Sequence, residues 1–296
     1  MEPIYLVGNN ALTLYLAAKL QSSGENVIII SDKNDNLYLN TNGIALKEDL
    51  SLQKQRYTFN TSFITKDKPK LTIVSCDNSK LNYFLSSISI SKIKDSPFIL
   101  FSVLKNISHI EAILGSRITR GYFDGFLNKD DQNVSLFGRA PNITLCPPKK
   151  EKNIKEIIPL FEKSGLTTLV NKDSSLGFWE YFAPFAAASL LSAAFNETIP
   201  ELLVQPDKRE TIKATISEIS LLALKDGVEV PDDFIEKKIC QIPGNYFLPL
   251  QASSNARKSG DLTSLSANIT NLAFEKKVKI PELNKLIGKI HNLILA

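Results

Sequence analysis

The sequence predicts an α/β protein of two domains: a doubly wound domain with a mainly parallel sheet over residues 1–170, then an all-helical domain over 171–296. Three observations predict it. The N-terminal half alternates short continuous apolar runs with amphipathic stretches, the pattern of parallel strands buried on both faces and the helices that cross between them. After Asn171 the β-branched runs give way to long helical stretches punctuated by glycine and proline. The length, 296 residues with 43% hydrophobic and 22% charged, is about twice that of a usual domain and can bury its cores without disulfides or metals.

The elements follow in order. Ile4 to Val7 is an apolar run ending at Gly8; residues 11–22 carry apolar side chains at helical spacing; Gly24 closes that helix, and 26–30 is a β-branched run, completing a βαβ unit. Residues 71–75 and 98–103 read as two more buried strands, with 80–93 as the crossover helix between them. Residues 119–125, 134–138 and 144–147 are shorter and separated by polar residues, a hairpin-rich extension. Residues 154–163 are amphipathic and end at Gly165. In the second domain helices are expected over 178–195, 207–225, 232–240, 264–277 and 282–293.

Composition excludes several function classes. The 35 Lys and Arg against 31 Asp and Glu leave a net charge of +4, but the basic residues are scattered. The densest run, Lys149, Lys150, Lys152 and Lys155, has Glu151 and Glu156 inside it, so nucleic acid is not the expected partner. No segment reaches the roughly 20 uncharged apolar residues of a membrane span; residues 178–195 come nearest and contain Glu180 and Pro184. The N-terminus runs into a strand pattern without the basic segment and small-residue cleavage site of a signal peptide, so a cytoplasmic address is expected. Cys76, Cys146 and Cys240 fit neither a disulfide framework nor a zinc site and are expected as buried thiols. No His/Cys/Asp cluster has metal spacing, no G-x-S-x-G elbow is present, and His109 and His291 fall in different domains as surface or interface residues.

Chemistry is expected at the first strand-to-helix turn. There a dinucleotide-binding protein brings backbone close to a pyrophosphate and aims a helix N-terminus at its charge. The turn reads Gly8-Asn9-Asn10-Ala11-Leu12-Thr13. Of G-x-G-x-x-G only the first glycine is present; Asn10 tolerates unusual backbone angles, and Thr13 puts a β-branched side chain where helix packing favours glycine. An acid, Asp32, follows the next strand at about the ~20-residue separation of such folds. It would accept hydrogen bonds from a ribose 2′-hydroxyl and repel a 2′-phosphate, favouring NAD over NADP. Alternatively, Asp32 merely begins the turn Asp32-Lys33-Asn34-Asp35. Strand, turn, helix, strand and acid together read as a Rossmann-type half. Gly8, Asn9, Asn10, Ala11 and Asp32, with Ser75 and Val103 at the ends of later strands, are the candidate cofactor-binding residues.

The opening IYLVGNNALTLYLAAKLQSSGENVIII, the segment GLTTLVNKDSSLGFWEYF, the stretch LLALKDGVEVPDD and the late SSNARKSGDLTSL resemble the ketopantoate reductase family, NADP-dependent enzymes that reduce 2-dehydropantoate to pantoate. The resemblance spans nearly the whole chain. It implies a Rossmann domain joined to an all-helical domain of the 6-phosphogluconate-dehydrogenase-like kind, with the active site in a cleft between them. It also implies a small 2-oxo acid substrate. Helical second domains of this kind often pair, which leaves a homodimer open, and the oligomeric state is not readable from the sequence.

Residue by residue the resemblance is incomplete. Where the family has Trp-x-Lys, whose Lys protonates the carbonyl oxygen, this chain has Trp179-Glu180-Tyr181. The family's two following Asn positions carry Phe185 and Ser189. The motif Gly-x-x-Thr-Glu-Ile-Asp corresponds to residues 260–266, with Ser264 and Ser266 in place of the carboxylates; a shifted register would put Asp261 at the Glu position. The family's paired serines match Ser253 and Ser254. On the cofactor side, Asp32 stands for an Arg, Asp77 for a Lys, and Ser102-Val103-Leu104 for a Gln-Asn-Gly turn. Two added acids oppose a 2′-phosphate.

Carbonyl reduction needs an acid for the developing alkoxide. Tyr181 is the candidate, since a phenol with the ordinary pKa of about 10 is protonated at pH 7 and a cation such as Lys172 could tune it. The alternative places Tyr181 in a packed aromatic face with Phe178, Trp179, Phe182 and Phe185. Tyr181, Asp261 and Ser264 are thus the catalytic candidates, and Ser189, Ser253 and Ser254 the substrate-binding ones. Two functions remain open: a divergent reductase using NADH or NADPH on a 2-oxo acid, and a non-catalytic descendant acting as a nucleotide-binding or protein-interaction scaffold.

Overall fold

A computed structural model describes residues 2–48, 54–76, 80–86, 88–93, 96–114, 117–130, 133–148 and 154–296. The chain divides into two compact units, Met1–Ser174 and Ser175–Ala296.

The first unit is built on β1 (Ile4–Val7), which pairs in parallel with β2 (Val27–Ile30) on one side and β6 (Leu71–Ser75) on the other. Beyond β2 lies β5 (Asn60–Ser62); beyond β6 lie β7 (Phe98–Phe101) and β8 (Ile118–Lys129), all parallel. Taken as crossovers, β5-β2-β1-β6-β7-β8 is the 3-2-1-4-5-6 order of a doubly wound sheet, whose ligand crevice lies where the order reverses, between β1 and β6. β9 (Asn133–Cys146), β3 (Ile44–Glu48) and β4 (Gln55–Tyr57) extend the β8 edge, and β10 (Thr167–Val170) pairs with β9.

The period-2 alternation of β1 explains the two cores. Ile4 and Leu6 face a cluster containing Leu14, Leu16 and Leu20 of α1 (Ala11–Ser22) and Phe161 of α6 (Ile154–Lys163). Tyr5 and Val7 face the other cluster, with Phe84 and Leu85 of α3 (Leu81–Ser86), Ile93 of α4 (Ile90–Ile93) and Ile110 of α5 (Ser108–Leu114). Both faces of β1 are therefore dry, as its unbroken apolar run implies. Each such Leu or Ile contributes about 1.5–3 kcal/mol of burial.

Three expectations need correction. Residues 80–93 form two short helices, α3 and α4. Ser86 Oγ donates to the Tyr83 carbonyl (2.6 Å), a local bond that competes with helix continuation. The three short strands of the extension are instead one long antiparallel hairpin, β8 and β9, paired from Arg120↔Cys146 to Lys129↔Val134 with a register shift between Asp124 and Phe126. A Cβ on Gly125, at that shift, would stand 2.6 Å from both the Phe123 ring and Pro141, so the irregularity needs glycine. Where the alternative reading makes residues 32–35 a turn, they form the start of a helix: Asp32 Oδ1 accepts from Asp35 N (3.1 Å) and caps α2 (Lys33–Thr41).

The second unit is helical: α7 (Ser174–Phe195), α8 (Ile199–Leu203), α9 (Arg209–Lys225), α10 (Asp232–Ile239), α11 (Pro249–Asn255), α12 (Gly260–Lys276) and α13 (Pro281–Leu295). Apolar nearly all round, α7 is buried along most of its length, from Phe178 and Trp179 to Ala194, and runs through Pro184. Phe178 and Phe182 stack at 4.9 Å. Buried Trp179 donates Nε1–H to Asp226 Oδ2 (2.7 Å), and Lys276 Nζ pairs with Asp226 Oδ1 (2.8 Å), which ties α7 to the C-terminal ends of α9 and α12.

Cys146 is buried and Cys76 half-buried, but Cys240 is exposed, against the expectation of three buried thiols. It ends α10 on the solvent side, where the periodicity of a short helix decides exposure. Among the described residues no helix is long and apolar enough to cross a membrane, and no His/Cys/Asp/Glu group could hold a metal ion.

Candidate functional site

In the first unit the β1–α1 turn sits at the switch point and is held from three sides. Gly8 has φ +126°, and a Cβ there would stand 2.1 Å from the Ser75 carbonyl oxygen, so the turn and the end of β6 approach as only glycine allows. Gly8 N donates to Ile30 O (2.9 Å). Asn10 caps α1: its Oδ1 accepts from Thr13 N (2.9 Å) and from Ser75 Oγ (3.3 Å). Thr13 stands where a third glycine is usual, and its hydroxyl donates to Ser75 O (2.5 Å). The departure from the glycine pattern is thus filled by a hydrogen bond between the turn and β6.

Beside the turn lies a carboxylate pair. Asn9 Nδ2 donates to Asp35 Oδ2, and Asp35 N is bound by Asp32 Oδ1. Burial raises the Asp35 carboxyl above the ordinary carboxylate range, the neighbouring Asp32 charge and hydrogen bond raise it further, and the Asn9 bond and Lys129 act in the opposite direction. Lys129, at the end of β8, donates from Nζ to the Asn9 carbonyl (2.8 Å). The structure therefore brings Gly8, Asn9, Asn10, Ala11, Asp32 and Ser75 to the same end of the sheet. Val103 is half-buried in the turn after β7, which Arg120 of β8 fixes by donating to Leu104 O (2.8 Å) and Lys105 O (2.6 Å). Asp77, Lys149, Lys150 and Lys152 lie outside the described residues.

The residues present fit a nicotinamide dinucleotide. A capped helix N-terminus faces the switch point, the Cβ-free Gly8 lets the chain pass close to β6, and the carboxylates of Asp32 and Asp35 follow β2.

In the second unit, Ser253 Oγ donates to Asp261, joining the serine pair of α11 to the first turn of α12. Asp261 thus stands beside Ser253, and Ser264 lies i+3 from Asp261 on α12, half-buried. Ser254 is buried on α11, one turn from Gln251. Ser189 is fully buried on α7 and its hydroxyl has no hydrogen-bond partner. Of the four rings that share the expected packed face with Tyr181, three (Phe178, Trp179 and Phe182) are buried, and Tyr181 meets the fourth. It is half-buried and stacks on Phe185 (5.9 Å, 9°). The Tyr246 phenol is raised well above its ordinary value, by burial first and by Tyr181 second.

Four residues were missed from the sequence. Asp35 was visible only as a turn residue; Lys129 and Arg120 are brought in by a hairpin more than a hundred residues from the glycine turn and carry no local signal. Gln251 is 0% exposed and neither amide atom has a hydrogen-bond partner, a cost of about 1–3 kcal/mol per unmet group.

No protein-family model matches the sequence, and no curated protein does. Solved structures match along its whole length. D-mandelate dehydrogenase, in a ternary complex with NADH and anilino(oxo)acetate, is 16% identical with a TM-score of 0.87, over 99% of this chain and 98% of that one. The 2-dehydropantoate 2-reductase of Geobacter metallireducens GS-15 is 17% identical with a TM-score of 0.85, over 98% and 99%. A ketopantoate reductase from Ralstonia eutropha JMP134 is 14% identical with a TM-score of 0.83, over 99% and 98%. The fold is the one these enzymes share.

Proposed function

We propose that this chain is a divergent ketopantoate-reductase-like oxidoreductase that binds a nicotinamide dinucleotide, NADH in preference to NADPH, and reduces a small 2-oxo acid. The observation that carries this reading is the switch point: a glycine turn with φ +126° and an Asn-capped helix stand between β1 and β6, beside the Asp32–Asp35 carboxylates. The full-length likeness to an enzyme solved with NADH and a 2-oxo acid derivative supports it.

When bound, a reduced nicotinamide supplies hydride to the substrate carbonyl. The chain's own part is to hold and protonate. Tyr181 is the proton donor to the carbonyl oxygen, its ring oriented by Phe185. Ser254 binds the carboxylate, and beside it Ser253 gives its one hydroxyl proton to Asp261. Ordinary carbonyl reduction consumes one proton per turnover, and the Tyr181 phenol is the group that delivers it.

A second reading, a non-catalytic scaffold, is favoured by α7 itself. An aromatic pair occupies the positions where the related family carries Lys and the first Asn, and Ser189 at the second is fully buried. The test is oxidation of NADH and NADPH in the presence of a panel of 2-oxo acids, beginning with ketopantoate and including aryl-substituted members. Turnover of any of them supports the reductase. Tight dinucleotide binding with no turnover across the panel supports the scaffold.

A further inference from the structure

The glycine turn is poorer in anion-binding groups than its fold calls for. None of its residues from Gly8 to Thr13 is basic. The Thr13 N–H, one of the donors a helix N-terminus offers to a phosphate, is already taken by Asn10 Oδ1 (2.9 Å). The carboxyl pair Asp32 and Asp35 stands beside it and, when ionised, offers a phosphate no donor of its own. Among the described residues one cation reaches the turn from elsewhere. Lys129, at the far end of β8, places Nζ 2.8 Å from the Asn9 carbonyl and lies close enough to Asp35 to act on its carboxyl.

Two features make this more than a solvated surface lysine. The neighbouring acid, Asp130, is engaged by Asn133: its carboxylate accepts from Asn133 N (2.7 Å) and Nδ2 (2.7 and 2.9 Å). And a cation beside a helix N-terminus is unfavourably placed with respect to the helix dipole, a cost that an anion bound between them removes. A neutral main-chain carbonyl is a weaker partner for an ammonium than a phosphate oxygen.

We infer that Lys129 is the cation that binds the diphosphate of the dinucleotide, compensating the donors and glycines the turn lacks. The inference rests on the dinucleotide reading above. It makes the β8–β9 hairpin part of the cofactor site, and it assigns the diphosphate, not a 2′-phosphate, to this lysine.

Calorimetric titration of the wild type, Lys129→Ala and Lys129→Arg with adenosine, ADP, NADH and NADPH tests it. Lys129 is exposed, and thermal unfolding of each variant checks that the fold is kept. The expected result is an about tenfold loss of ADP and NADH affinity in Lys129→Ala. Adenosine binding stays unchanged, ADP binding becomes less salt-dependent, and Lys129→Arg restores most of the loss. Equal binding of ADP and NADH to the wild type and Lys129→Ala overturns the inference and leaves the dinucleotide reading standing. A loss confined to NADPH also overturns it, moving Lys129 to the 2′-phosphate. A folded wild type that binds none of ADP, NADH and NADPH overturns the dinucleotide reading itself, and the inference with it.

Discussion

Gly8 and Ser75 approach so closely that a β-carbon on the first would stand 2.1 Å from the carbonyl oxygen of the second. This approach joins the ends of β1 and β6 at the reversal of strand order, and Thr13 adds a 2.5 Å hydrogen bond to the same carbonyl. Gly8→Ala should therefore destabilise the first unit by about 3 kcal/mol or more, since it combines a positive-φ penalty with a backbone clash. Chemical denaturation measures it; a loss under about 1 kcal/mol would contradict the close approach.

Thr13→Val keeps the shape but removes the hydroxyl, leaving the Ser75 carbonyl short of a partner. A loss of about 1–2 kcal/mol is expected, read from the shift of the denaturation midpoint at constant slope. Thr13→Gly, which restores the usual glycine pattern, should not recover it.

The carboxylate pair has a pH signature. With its folded pKa raised, Asp35 holds its proton more firmly in the folded state, so its contribution to stability is present at acid pH and is lost as pH rises through the folded value. Asp35→Asn removes the repulsion with Asp32 and should raise the melting temperature at neutral pH, with the gain vanishing as the pH falls below the ordinary carboxylate range. A gain that persists unchanged in acid would mean that the charge is not its source.

In the second unit, Asp226 takes the Trp179 Nε1–H and the Lys276 ammonium with a side chain only 8% exposed. Asp226→Ala strands the buried indole donor and removes the tie between α7 and the ends of α9 and α12. It should cost about 2–4 kcal/mol. Trp fluorescence reports the site directly, and an unchanged emission spectrum with unchanged stability would show that this bond does not hold α7.

Tyr181→Phe separates the two functional readings at a single atom. The ring and its stacking on Phe185 remain, so folding should be intact while any reductase turnover is lost. Turnover equal to wild type rules out Tyr181 as the proton donor.

What was legible in the sequence was what local periodicity carries. The β1–α1–β2 unit is written in four apolar residues, a glycine and a helical stripe, and Asp32 lies at the spacing the fold sets. The three-residue strands β4 and β5 are too short and polar to show a period, and α2, KNDNLYLNT, has the composition of a loop. Only tertiary contact makes it a helix capped by Asp32. The same limit governs the sites. The place of Asp32 after β2 is readable from spacing, whereas the bond between Ser253 and Asp261 joins two helices and carries no local signal. Lys129 reaches Asn9 across 120 residues of chain, a relationship that exists only once β8 and β9 have paired.

The most direct test of the central claim is a side-by-side titration of the purified protein with NADH and NADPH. A switch point lined by Gly8, Asn10 and the Asp32–Asp35 pair predicts that NADH binds and that NADPH binds more weakly, with Asp32→Ala narrowing the gap. A folded protein that binds neither, or that prefers NADPH, would contradict it.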